Sequence, residues 1–149
     1  MKTVLFLCTG NYYRSRFAEV FFNHHTGQRG LPWRASSRGL ALNPHNVGPI
    51  SRYTLERLAS HRIPLETRQR FPSDATQQDF DAALHIVAVK EAEHRPLISS
   101  RFPTILDRVE FWHVHDVDYA GPDVAMPHLE REVLRLMDRL ESTKSEDPE

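Results

Sequence analysis

Residues 3–15 read TVLFLCTGNYYRS. Thr3 to Cys8 form an unbroken apolar run that stops at Gly10, the pattern of a short strand covered on both faces. From Ser15 the chain continues SRFAEVFFNHH, in which Phe17, Phe21 and Phe22 fall on one side of a helix. A buried strand, a tight turn and a helix thus follow one another directly.

The same alternation runs on from there. WRASSRG (33–39) reads as a weaker strand closed by Gly39. SRYTLERLASH (51–61) reads as a helix with Tyr53, Leu55, Leu58 and Ala59 partly inward, ending before Pro64. ALHIVAV (83–89) is a second buried strand, followed by the helical KEAEHRPLISS. VEFWHV (109–114) is a further strand, rich in β-branched and aromatic residues, with Trp112 expected in the core. The last helix has Pro127 in its first turn and Leu129, Val133, Leu136, Met137 and Leu140 at helical spacing. The expectation is an α/β fold, a single three-layer domain with a four-stranded parallel sheet and helices on both faces. It should span residues 1–141, leaving STKSEDPE (142–149) as a polar C-terminal tail. In such sheets ligands bind beyond the carboxyl ends of the strands. Cys8 and the stretch after VEFWHV both lie at such ends.

A chain of 149 residues suits one core. Its net charge of -1 argues against a basic nucleic-acid-binding face. The run VLFLC is far too short to span a bilayer, and the N-terminus lacks a secretory pattern. With 1 cysteine there is no internal disulfide. The expectation is a cytoplasmic protein with neither membrane nor nucleic-acid partners.

CTGNYYRS (8–15) carries the chemistry. A phosphate-binding loop needs several backbone N–H groups aimed at one point, and a helix N-terminus supplies more. Gly10 and Asn11 suit the unusual backbone angles of such a loop. The donors that hold a phosphate also stabilise a thiolate, so Cys8 is the candidate nucleophile. Arg14 can fork onto two phosphate oxygens, and Ser15 can donate to the sulfur.

Cys-x5-Arg-Ser close to the N-terminus resembles the low-molecular-weight protein tyrosine phosphatases, over about Val4 to Leu140. The resemblance implies hydrolysis of aryl phosphate monoesters, above all protein phosphotyrosine, through a phosphocysteine formed on Cys8. The loop from Thr9 through Ser15 would hold inorganic phosphate or another oxyanion, and no metal or cofactor is implied. The family's general acid is an aspartate followed by proline. Here Asp116 takes its place with Val117 following, and Asp118 is the alternative. Ser37 and Gly39 match a Ser-x-Gly segment whose serine bonds the loop asparagine, here Asn11, although Arg38 stands where alanine is usual. The family often adds a histidine to this network, and IPLETRQRF (63–71) contains none. Tyr12 and Tyr13 replace an aliphatic residue and a frequent second cysteine. Tyr12 is expected at the pocket entrance, Tyr119 on the facing wall and Tyr13 mainly in packing.

Three other readings are open. A non-catalytic phosphate- or phosphopeptide-binding module would keep the loop without effective acid catalysis. An arsenate reductase would have to use an external thiol, there being no further cysteine for an internal relay. A phosphoarginine phosphatase is disfavoured by the resemblance, because that group carries threonine at the position of Tyr12.

Overall fold

Four strands form one all-parallel sheet in the order β2–β1–β3–β4: β1 (Lys2–Cys8), β2 (Trp33–Gly39), β3 (His85–Ala88) and β4 (Val109–Phe111). The computed structural model describes residues 1–116 and 120–146. The helices are α1 (Arg14–Arg29), α2 (Arg52–Ser60), α3 (Gln77–Ala82), α4 (Glu91–Arg101) and α5 (Pro122–Glu146), with a 3-10 turn over Pro103–Arg108. None of the described helices is long and apolar enough to cross a membrane.

The apolar run of β1 accounts for the layers. Side chains alternate across a strand, so Val4 and Phe6 enter one core with Phe17 and Phe22 of α1 and Leu129, Val133 and Leu136 of α5. Leu5 and Leu7 enter the other with Phe80, Ile98 and Ile105. Burying each such side chain contributes about 1.5–3 kcal/mol, so the central strand is held from both faces. Leu129, Val133, Leu136, Met137 and Leu140 are buried, as their spacing predicts, and so is Trp112.

Three local expectations are corrected and one helix is added. Thr54, not Ala59, turns into the core from α2, its hydroxyl donating to the Tyr13 carbonyl. Regular pairing in VEFWHV ends at Phe111, although Trp112 and Val114 still donate to the carbonyls of Ala88 and Val89. Pro127 lies inside α5 and Pro122 opens it, the first-turn position that needs no N–H. Helix α3 was not expected: its 6 residues bury Phe80 and depend on a Thr76–Asp79 capping box.

Candidate active site

Cys8 is the last residue of β1 and Arg14 the first of α1, so the loop between them sits over the sheet's carboxyl edge. Its carbonyls are occupied from outside. Those of Cys8 and Thr9 accept from Leu40, that of Thr9 also from Ala41, that of Tyr12 from Ser51, and that of Tyr13 from the Thr54 hydroxyl. In a trans peptide N–H and C=O point in opposite directions, so the N–H groups of Thr9, Gly10, Tyr13 and Arg14 turn away from these partners, toward the concave side. Asn11 has φ 51°, the left-handed region that asparagine tolerates. Its N–H donates to Cys8 Sγ at 3.2 Å. Ser15 Oγ lies 2.8 Å from the same sulfur and accepts from Asn11 Nδ2 at 2.9 Å, which leaves its own proton for the sulfur.

Asn11 is held from behind. Its Nδ2 also donates to Ser37 Oγ at 2.9 Å, the contact expected for that serine. Its Oδ1 accepts from Arg70 Nη1 at 2.9 Å and from Ser73 N at 3.1 Å. Arg70 Nη2 reaches Glu19 Oε1 at 3.2 Å and Ser37 Oγ at 3.1 Å, while Ser37 donates to Glu19 at 2.6 Å. Arg70 therefore supplies, from IPLETRQRF, a donor to Asn11 in a stretch that has no histidine. Gly39 lets β2 come this close: a Cβ there would stand 2.9 Å from Thr9 O and 3.1 Å from Asn11 Cβ.

Arg14 is buried and anchored at both terminal nitrogens. Nη1 donates to Val114 O at 3.0 Å and Nη2 to Glu93 Oε2 at 2.7 Å, with Asp116 Oδ2 3.6 Å away. Burial works against its charge, but Cys8, Glu93 and Asp116 raise its pKa overall. Burial would likewise raise the pKa of Glu93, yet bonds from His94, Arg14 and Thr9 hold its carboxyl well below the usual carboxylate range. His94 Nδ1 accepts from Lys90 N at 3.1 Å, so its proton sits on Nε2, 3.1 Å from both Thr9 Oγ1 and Glu93 Oε2. Burial lowers the pKa of this ring. Neither Glu93 nor His94 was expected at the site, because both sit in an ordinary-looking helical segment.

Cys8, Thr9, Gly10, Tyr12, Tyr13, Arg14 and Asp116 line one cavity of about 260 Å³, closed by Asn43, Asn46, Ser51 and Tyr53. Asn11, Ser15 and Ser37 stand behind it. The Tyr13 ring packs edge-on to Tyr53 at 6.2 Å. Its hydroxyl is buried without a hydrogen-bond partner among the described residues, and burial, with Asp116 nearby, pushes its pKa up to about 12. Asp118, Tyr119 and Val117 lie outside the described residues. A larger hollow of about 540 Å³ opens behind α1, but Cys8, Arg14 and Asp116 do not line it. Among the described residues no three His, Cys, Asp or Glu side chains are grouped to hold a metal ion.

This thiol-and-arginine loop on a four-stranded parallel sheet has close counterparts. Residues 3–143 match the family described as low molecular weight phosphotyrosine protein phosphatase, and the chain belongs to that family. A protein-arginine-phosphatase of Bacillus subtilis (strain 168) is 28% identical over 106 residues, covering 71% of this chain and 67% of the relative. The crystal structure of YfkJ from Bacillus subtilis superposes with a TM-score of 0.83 at 23% identity, over 97% of each chain. That of a low molecular weight protein tyrosine phosphatase from T. tengcongensis superposes at 0.75 with 26% identity, over 96% of this chain and 99% of the other.

Proposed function

We propose that this phosphatase hydrolyses aryl phosphate monoesters, with protein phosphotyrosine as its substrate class, through a phosphocysteine on Cys8. The observation that carries the reading is the Cys8 sulfur, bonded by the Asn11 N–H and beside the Ser15 hydroxyl, in a cavity that also holds Arg14 and Asp116. The Cys8 thiolate attacks phosphorus and the phosphorus–oxygen bond to the phenol breaks. Asp116 gives its proton to the departing phenolate. Water then attacks the phosphocysteine, Asp116 takes up its proton, and inorganic phosphate leaves with the thiolate restored. The Asn11 N–H and the Ser15 O–H stabilise sulfur as it attacks and as it departs. Arg14 uses two of its five N–H bonds on Val114 and Glu93, which leaves three for phosphate oxygens. Most of the rate comes from charge positioned before the reaction starts.

Aromatic walls at Tyr12, Tyr13 and Tyr53 support an aryl substrate. The curated relative's activity on phosphorylated arginine is the second reading, and a peptide pair differing only in phosphotyrosine or phosphoarginine separates the two. The first test is hydrolysis of p-nitrophenyl phosphate with EDTA present. Turnover by the wild type and none by Cys8→Ser is expected; turnover surviving in Cys8→Ser overturns the thiol mechanism.

A further inference from the structure

Next to the catalytic cavity lies a second hollow of about 360 Å³, formed by Leu42, Pro44, Gly48, Phe71 and Pro72. Asn43 and Asn46 line both spaces, and Asn46 Nδ2 stands 3.5 Å from where a Cβ on Gly10 would be. The two hollows therefore adjoin, with Asn43 and Asn46 between them. Both walls of the second one hang from the catalytic loop. The Tyr12 hydroxyl donates to the Val47 carbonyl and ties down residues 42–48. Phe71 and Pro72 sit between Arg70 and Ser73, which both bond Asn11 Oδ1.

The chemistry of the hollow is distinct from that of the cavity it adjoins. None of its lining side chains is ionisable. Phe71 is 67% exposed and Val47, between Asn46 and Gly48, is 85% exposed, an apolar surface left to water beside the candidate site. Asn43 and Asn46 border both hollows and successive Cα atoms are about 3.8 Å apart, so a residue one or two positions from the phosphorylated one is within reach of this surface. We infer that the hollow is a specificity subsite for a large apolar side chain of the phosphoprotein, within two residues of the phosphorylated one. The inference rests on the phosphatase reading above. Leu42, Pro44, Phe71 and Pro72 supply the apolar contact, and the amides of Asn43 and Asn46 are placed for the peptide backbone.

The test compares kcat/KM for phosphotyrosyl peptides carrying Leu, Ser or Asp at each of the two positions on either side, with p-nitrophenyl phosphate as a substrate that cannot reach the hollow. At one of these positions Leu should be favoured over Ser by about 10-fold, the size that partial burial of one leucine supports. Phe71→Ser, a change at an exposed side chain, should cut that preference to about 2-fold or less while p-nitrophenyl phosphate turnover stays at the wild-type level. Equal kcat/KM for Leu and Ser at every position, with p-nitrophenyl phosphate hydrolysed normally, overturns the subsite and leaves the phosphatase intact. The same peptides made with phosphoarginine are run in parallel, so that a wrong phosphoamino acid cannot hide the preference. If nothing is hydrolysed, the functional reading fails by itself, and anisotropy of labelled peptides still decides the subsite: equal affinities overturn it. A dimer in sedimentation that dissociates in Phe71→Ser would give this face to a second copy of the chain and overturn it as well.

Discussion

Arg14 illustrates how much of this site depends on the shape of a side chain rather than its charge. Its two terminal nitrogens are engaged by Val114 O and Glu93, and its remaining N–H groups keep the fixed fork of a planar guanidinium. Arg14→Lys retains the charge and loses the fork. Its kcat/KM on p-nitrophenyl phosphate should fall by roughly 100-fold or more; activity within a few-fold of wild type would rule out bidentate phosphate binding. Asp116 is the second residue whose role has a sharp signature. Asp116→Asn should reduce phenyl phosphate hydrolysis at least about 10-fold more than p-nitrophenyl phosphate hydrolysis, because only the poorer leaving group needs a proton. Equal losses on both substrates would remove Asp116 from that role and turn attention to Asp118.

The strand–loop–helix element that holds these residues is tight where β2 meets it. A Cβ on Gly39 would approach the backbone oxygen of Thr9 to 2.9 Å and Leu42 Cδ2 to 2.5 Å, and only the leucine can swing aside. Gly39→Ala should therefore destabilise the fold by roughly 1–3 kcal/mol. It should also lower kcat on p-nitrophenyl phosphate at temperatures where circular dichroism shows the protein folded. The element was legible in the sequence because strand, turn and helix signals coincide within TVLFLCTGNYYRS, and Ser37 and Gly39 could be placed beside it. What was illegible has a common physical cause. Glu93, His94 and Arg70 are polar residues whose neighbours along the chain say nothing of what lies across the sheet edge. IPLETRQRF shows one other basic candidate beside Arg70, Arg68, and only the folded chain puts Arg70 Nη1 on Asn11. Helix α3 escaped for a different reason: it has a single fully inward residue, Phe80, and no apolar period to detect. Pro127 misled because Pro122, five residues earlier, carries the same helix-start signal.

At the scale of the whole molecule, buried ionisable groups set how stability responds to acid. Burial lowers the pKa of His94 in the folded state below its ordinary value of 6.5, at which it titrates in the unfolded chain. As the pH falls through that value the unfolded state takes up the proton and stability declines. Glu93, Glu110 and Glu130 act lower. Burial opposes their ionisation, but the bonds they accept outweigh it and hold all three below the ordinary value of 4.5. Stability from these carboxylates is complete above about 4.5 and drains away as the pH drops further. Urea midpoints should fall in two stages on acidification from neutrality, a shallow one below about 6.5 and a steeper one below about 4.5. Glu93→Gln should flatten the second stage; an unchanged slope would show that Glu93 does not contribute to it. The strand order has a consequence for biosynthesis. β1 is made first yet lies in the middle of the sheet, with its second neighbour, β3, far along the chain. Translation thus delivers the thiol early, beside an unfilled sheet edge, whereas Glu93 and Asp116 emerge only when most of the chain has been made. A chain cut short before β3 thus carries Cys8 without Glu93 or Asp116, a thiol lacking both carboxylates that stand beside Arg14.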